Sequence, residues 1–134
     1  MKKYDNYVSH LAILKMAKEQ QLDNEFVISG IKDKFYIQFE LSWKMLKELL
    51  RYEGRMEAAT GSPREILKAA YSIYPFMDEE IWLDMLRDRN GSTHIYDGEE
   101  AKRLVQRVIE RYIPAFEELQ SQIEARYAGI LNEL

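Results

Sequence analysis

Arg89, Asn90, His94 and Tyr96 fall within one short stretch, RDRNGSTHIYDG at 87–98, and His94 is one of only two histidines. An imidazole near its ordinary pKa of about 6.5 takes and gives protons at neutral pH. A guanidinium stays charged and grips a phosphate through two parallel hydrogen bonds. Asn90 can hold the imidazole or a substrate oxygen. An Arg and a His converging on one phosphodiester suffice in principle for metal-free RNA cleavage. The base removes the 2′-hydroxyl proton, attack gives a cyclic phosphate, and the Arg stabilises the anionic transition state. The same residues also have plainer uses. Arg89 can pair with Asp84, Asp88 or Asp97 at the surface, which adds little stability. His94 can be a turn histidine, and Tyr96 a wedge between helices. Spacing alone does not choose between these uses.

The elements that must position these groups are helical. A first helix is expected from about Tyr4 to Gln21, with Tyr7, Leu11, Leu14 and Lys18 along one stripe flanked by Val8, Ala12 and Lys15. After LDN, where Asp23 or Asn24 can cap, a second runs to about Tyr52, and Gly54 is a natural stop. Its apolar positions are Phe26, Ile31, Phe35, Phe39, Ser42, Met45, Leu46 and Leu49, widened by Leu41, Trp43 and Leu50. A helix apolar over that much of its circumference is central or faces a second subunit. Ser62 and Pro63 open a shorter helix to about Ile73. Asp78 caps the fourth, which buries Ile81, Trp82, Met85 and Leu86 and ends at Arg89. Asp97 and Glu100 read as a capping-box pair for a last helix reaching Leu134, with a bend near Pro114. The expected fold class is all-α: an antiparallel up-and-down four-helix bundle with an additional short helix, in a single domain over 1–134.

Composition sets further bounds. Of the 134 residues, 46% are hydrophobic and 12% aromatic, enough for a sizeable core and against disorder. Six glycines and three prolines favour long helices over a turn-rich β fold. With no cysteine, disulfides and thiolate metal sites are excluded. Two histidines would need carboxylates to complete a zinc site, so neither a metal nor a cofactor is expected. The net charge of −4 argues against a broad nucleic-acid platform but leaves room for a local phosphodiester site. No apolar run approaches the roughly 20 residues that span a bilayer. A soluble, cytoplasmic protein without membrane or DNA partners is the expectation.

Several other residues have two readings. Glu40 can hydrogen-bond groups at the cleft, or it can be a partly buried carboxylate holding an Arg or Lys across the bundle; the second is favoured. Trp43 and Trp82 read as core. Arg64 could add charge to a binding surface or simply be solvated. Arg87, Lys102, Arg103, Arg107 and Arg111 supply positive charge around the motif, largely offset by Asp88, Glu99, Glu100 and Glu110. RNA affinity should therefore be local and modest. His10 reads as structural.

Four blocks in order, FELSWKMLKELLRYEG (39–54), SPREILKAAY (62–71), WLDMLRDRN (82–90) and HIYDGEEA (94–101), carry a resemblance. The chain resembles the HEPN superfamily, and within it the nucleotidyltransferase substrate-binding branch, helical partners of minimal nucleotidyltransferases. The signature is R-x4-H-x-Y, at Arg89, His94 and Tyr96. The resemblance implies a homodimer with two Arg–His pairs at a shared cleft. It implies a toxin-like, metal-independent endoribonuclease with Arg89 and His94 catalytic and RNA as substrate, beside which Asn90 and Glu40 are read from their own chemistry as supporting residues. It implies a minimal nucleotidyltransferase as antitoxin, able to transfer AMP to Tyr96. The alternative is a non-catalytic adaptor that binds substrate for that partner, a reading the complete R-x4-H-x-Y disfavours because an adaptor has little need of a tyrosine so placed. The two Gly-Ser pairs, at 61–62 and 91–92, lack the paired aspartates that hold a nucleotidyltransferase's metal, so this chain is not expected to transfer nucleotides itself.

Overall fold

The computed structural model describes residues 1–91 and 97–134. Among the described residues the protein is all-helical. Helix α1 (Lys2–Leu14) tightens into a 3-10 turn (Lys15–Glu19), and α2 (Glu25–Tyr52) is the long element. A 3-10 turn (Met56–Ala59) leads to α3 (Pro63–Ile73), then α4 (Glu79–Asn90) and α5 (Gly98–Arg107). A π turn (Val108–Tyr112) joins α5 to α6 (Ile113–Arg126), and a 3-10 turn (Leu131–Glu133) closes the chain. Helix α2 packs against α1, α3, α4 and α5, so its wide apolar surface is explained by a central position.

The helix starts follow side-chain chemistry. The Asn24 carboxamide accepts from the backbone N–H groups of Phe26 and Val27, Ser62 from Glu65, and Asp78 from Ile81. Asp97 accepts from Glu99 and Glu100. Each satisfies N–H groups that have no partner within the first turn. The expected capping box is only half made, because the Glu100 carboxylate turns away to Arg103 and Arg107. Two guanidiniums outbid a backbone N–H for it, as charge-assisted bonds do. Gly54, at φ +80°, takes the left-handed conformation just past the end of α2, where a Cβ would be strained.

The buried stripe of α1 and the 3-10 turn after it is Tyr4, Tyr7, Leu11, Leu14 and Ala17, while Ala12, Lys15 and Lys18 face outward. Phe26 is 89% exposed instead of core, because at 100° per residue it lies on the face of α2 opposite Phe35, while its neighbours Val27 and Ile28 turn inward. Trp82 is buried, edge-on to Phe116 at 5.7 Å, whereas Trp43 is only half-buried. The last helix is divided. Pro114 has no N–H to close an α turn, and just upstream the Ile113 N–H donates to the Val108 carbonyl, five residues back. Phe35 stacks on Tyr112 beside that turn, ring centroids 5.1 Å apart.

His10 and Gln38 knit α1 to α2. The Gln38 carboxamide is fully buried, donates to the Tyr7 carbonyl and meets His10 Nδ1 at 2.7 Å, a structural use of that histidine. No helix among the described residues is long and apolar enough to cross a membrane.

Candidate functional site

Arg89 stands in the last turn of α4, one residue before the helix ends at Asn90. A cation there complements the partial negative charge of a helix C-terminus. Its Nη1 donates to Asn90 Oδ1 at 3.2 Å, and its Nη2 forms an ion pair with Glu40 Oε1 on α2. The expected surface partners Asp84, Asp88 and Asp97 do not take it. Asp84 receives Arg111 and Arg87, Asp88 receives Arg107, and Asp97 caps α5. The Arg89 side chain remains 34% exposed and that of Glu40 30% exposed, so the pair is held yet open to solvent.

Glu40 is itself oriented. Its second oxygen accepts from Trp43 Nε1 at 3.1 Å and lies 3.9 Å from Lys44 Nζ. The half-burial of Trp43 follows from this role: one edge packs on the core and the N–H edge reaches the carboxylate. The carboxylate therefore does hold an Arg across the bundle, and that Arg is the motif residue itself. His94 and Tyr96, the other two motif positions, lie outside the described residues.

On the far side of α4, Asp84 and Asp88 face Arg111 and Arg107. Arg111 Nη1 meets Asp84 at 2.9 Å, and Arg107 grips both oxygens of Asp88, at 3.0 and 2.9 Å. Tyr112 donates its hydroxyl to Asp88 as well, and Arg107 reaches Glu100 at 3.2 Å. Burial works against the charge of Arg107, but Asp88 and Glu100 outweigh it and push its pKa further up. Burial, then the hydrogen bond and charge of Asp88, push the Tyr112 hydroxyl up, so it stays protonated. Arg103 and Arg107 hold the Glu100 carboxyl below its usual range. The sequence carries a signal for this ladder: acids at i and i+4 on one helix meet arginines at i and i+4 on a later one.

The cations around the motif are thus largely spoken for, with Lys102 near Glu99 and Arg103 on Glu100. Arg64, on α3, is exposed. Among the described residues no group of three or more His, Asp or Glu side chains could hold a metal ion. Chemically, the described part of the site offers an oriented, partly exposed guanidinium beside an amide. A guanidinium of this kind has the chemistry to bind an anion, and here its charge is balanced by Glu40. A search among curated proteins finds no match. A family model described as nucleotidyltransferase substrate binding protein like matches residues 2–125, and the chain belongs to that family.

Proposed function

We propose that this chain works as the partner of a minimal nucleotidyltransferase and is a metal-independent, toxin-like endoribonuclease. The family's name supports the association. The observation that carries the rest is Arg89, aimed by Glu40 and Asn90 while still reachable from solvent. An RNA phosphate can displace the Glu40 carboxylate from the guanidinium, because both offer the same two-oxygen face. His94 takes the proton of the ribose 2′-hydroxyl, and the 2′-oxygen attacks phosphorus. The bond from phosphorus to the 5′-oxygen breaks and that oxygen takes up a proton. The products are a 2′,3′-cyclic phosphate and a 5′-hydroxyl. Arg89 offsets the charge that builds on the phosphoryl oxygens.

Tyr96 is the switch in this proposal. Its phenolic oxygen attacks the α-phosphorus of ATP held by the partner, pyrophosphate leaves, and the phenol loses its proton. The AMP so attached sets a phosphate two residues from His94, where it competes with RNA for Arg89. Two chains form a homodimer, and the chain acts as one HEPN-like domain in the cytoplasm.

A second reading, a non-catalytic adaptor that presents substrate to the nucleotidyltransferase, is favoured by the ion pair that already balances Arg89. Expression of the chain alone, beside Arg89→Ala and His94→Ala, separates the two. Growth arrest and RNA cleavage lost in both variants establish the ribonuclease. Harmless behaviour of all three leaves the adaptor. Incubation with the nucleotidyltransferase and ATP should add AMP to the wild type and not to Tyr96→Phe.

A further inference from the structure

Resting on the ribonuclease assignment above, we propose that Arg107 is a positioning residue that fixes the Arg89 end of α4 through Asp88. Arg107 lies outside the Arg–His motif, and its guanidinium makes three bonds with two carboxylates. Two go to Asp88, the residue before Arg89, and one to Glu100 in the first turn of α5. The chain before and after residues 91–97 is therefore tied to one planar group. A forked guanidinium fixes both the distance and the plane of its partner. The Arg107 and Asp88 side chains are 29% and 18% exposed, so the pair is better shielded from salt than a surface ion pair.

The π turn makes this arrangement possible. In an α-helix of 3.6 residues per turn, residues five apart stand about 140° apart around the axis, on different faces. In a turn closed from i to i+5 they return toward the same side. Arg107 and Tyr112 are five apart across Val108–Tyr112, and both reach the Asp88 carboxylate. Tyr112 is in turn clamped by its stacking on Phe35 of α2. The helix defect thus converges two donors on the carboxylate next to Arg89. On its other side Arg89 is held by Glu40, also from α2. Asp88 and Arg89, about 100° apart around the helix, are thus braced from two directions, which leaves α4 little freedom to rotate and swing the guanidinium off its line.

The decisive comparison is Arg107→Lys against Arg111→Lys, each in the full chain. Arg111 makes the neighbouring ion pair, to Asp84, between the same two segments but a turn away from Arg89. Lysine keeps the charge and loses the fork. Cleavage of a mixed-sequence single-stranded RNA labelled with a fluorophore and quencher gives kcat and KM. The ¹⁵N–¹H signal of the Arg89 guanidinium and amide exchange over residues 86–90 give the positioning directly. Arg107→Lys should lower kcat about tenfold or more with KM within about twofold. It should also shift the Arg89 signal and speed exchange at the end of α4. Arg111→Lys should leave all of these unchanged. Equal effects of the two substitutions, or an unmoved Arg89 signal in Arg107→Lys, overturn the proposal. Full kcat despite a shifted signal overturns it too. If the wild-type chain cuts no RNA but Arg107→Lys alone disturbs Arg89, the ribonuclease assignment fails and the positioning stands.

Discussion

Glu40, in the middle of α2, and Arg89, at the end of α4, form an ion pair that joins the central helix to the motif. The carboxylate is shared between the guanidinium and the Trp43 N–H, so neither oxygen is free to wander. A group that must bind a phosphate benefits from such a placeholder. It keeps the side chain in one rotamer and, on the proposed reading, gives way to the RNA phosphate.

Glu40→Gln tests this directly. The amide keeps the shape and can still accept from Trp43, but it no longer balances Arg89. On the proposed ribonuclease reading, RNA cleavage should fall about tenfold, the order of loss expected when a reacting group is let off its line. Stability should change by less than about 1 kcal/mol, because both partners are roughly a third exposed. Cleavage assays paired with urea denaturation check both parts. Unchanged cleavage would show that Glu40 does not aim Arg89.

Much of the fold was legible because local rules and packing agree. Asn24, Ser62, Asp78 and Asp97 sit where a cap belongs, and each accepts the expected backbone bonds. What escaped depends on which helices become neighbours. Nothing in the spacing of Arg89 singles out Glu40 over Asp84 or Asp88, which are nearer in sequence. Pro114 signalled a bend, but a bend can take several forms, and the spacing does not single out the π turn that brings Tyr112 to Asp88. Phe26 counts with the apolar positions of α2, yet it stands five residues before Ile31 and nine before Phe35, spacings that turn it to the solvent face.

Gln38 is fully buried and joins α1 to α2 through Tyr7 and His10. Gln38→Leu keeps the volume close and removes both bonds, leaving His10 Nδ1 without this partner. A loss of about 1–3 kcal/mol is expected. The denaturant midpoint should fall while the slope of the transition stays the same. An unchanged midpoint would mean that these bonds contribute nothing net.

Tyr71 gives the opposite expectation. Its hydroxyl is buried with no hydrogen-bond partner among the described residues, and burial first, then the Glu79 charge, push its pKa up. A buried hydroxyl without a partner keeps its desolvation cost and gains nothing in return. Tyr71→Phe should therefore be neutral or stabilising by up to about 1 kcal/mol, read as a raised midpoint in thermal unfolding. A drop of that size would reveal a hydrogen bond from the hydroxyl in solution.

The end of the bundle formed by α2, α3 and α6 should show a defined acid dependence. Glu53, just past α2, accepts from Tyr127 at 2.9 Å and from Arg126 at 3.2 Å, while Tyr127 also meets Tyr74 at 2.6 Å. The Arg126 hydrogen bond, aided by Tyr127 and opposed by burial, lowers the Glu53 carboxyl from 4.5. A carboxyl with a lower pKa in the folded chain binds its proton more readily when unfolded. Its stabilisation is thus fully present above about pH 4.5 and fades as the pH falls through the folded-state value. Wild type should exceed Glu53→Gln in stability by about 1 kcal/mol or less at pH 7. Urea denaturation from pH 7 down to pH 3 should show that gap narrowing only below about pH 4.5. A gap that stays constant, or widens on acidification, would mean that the Glu53 charge does not fasten Arg126 and Tyr127 to the end of α2.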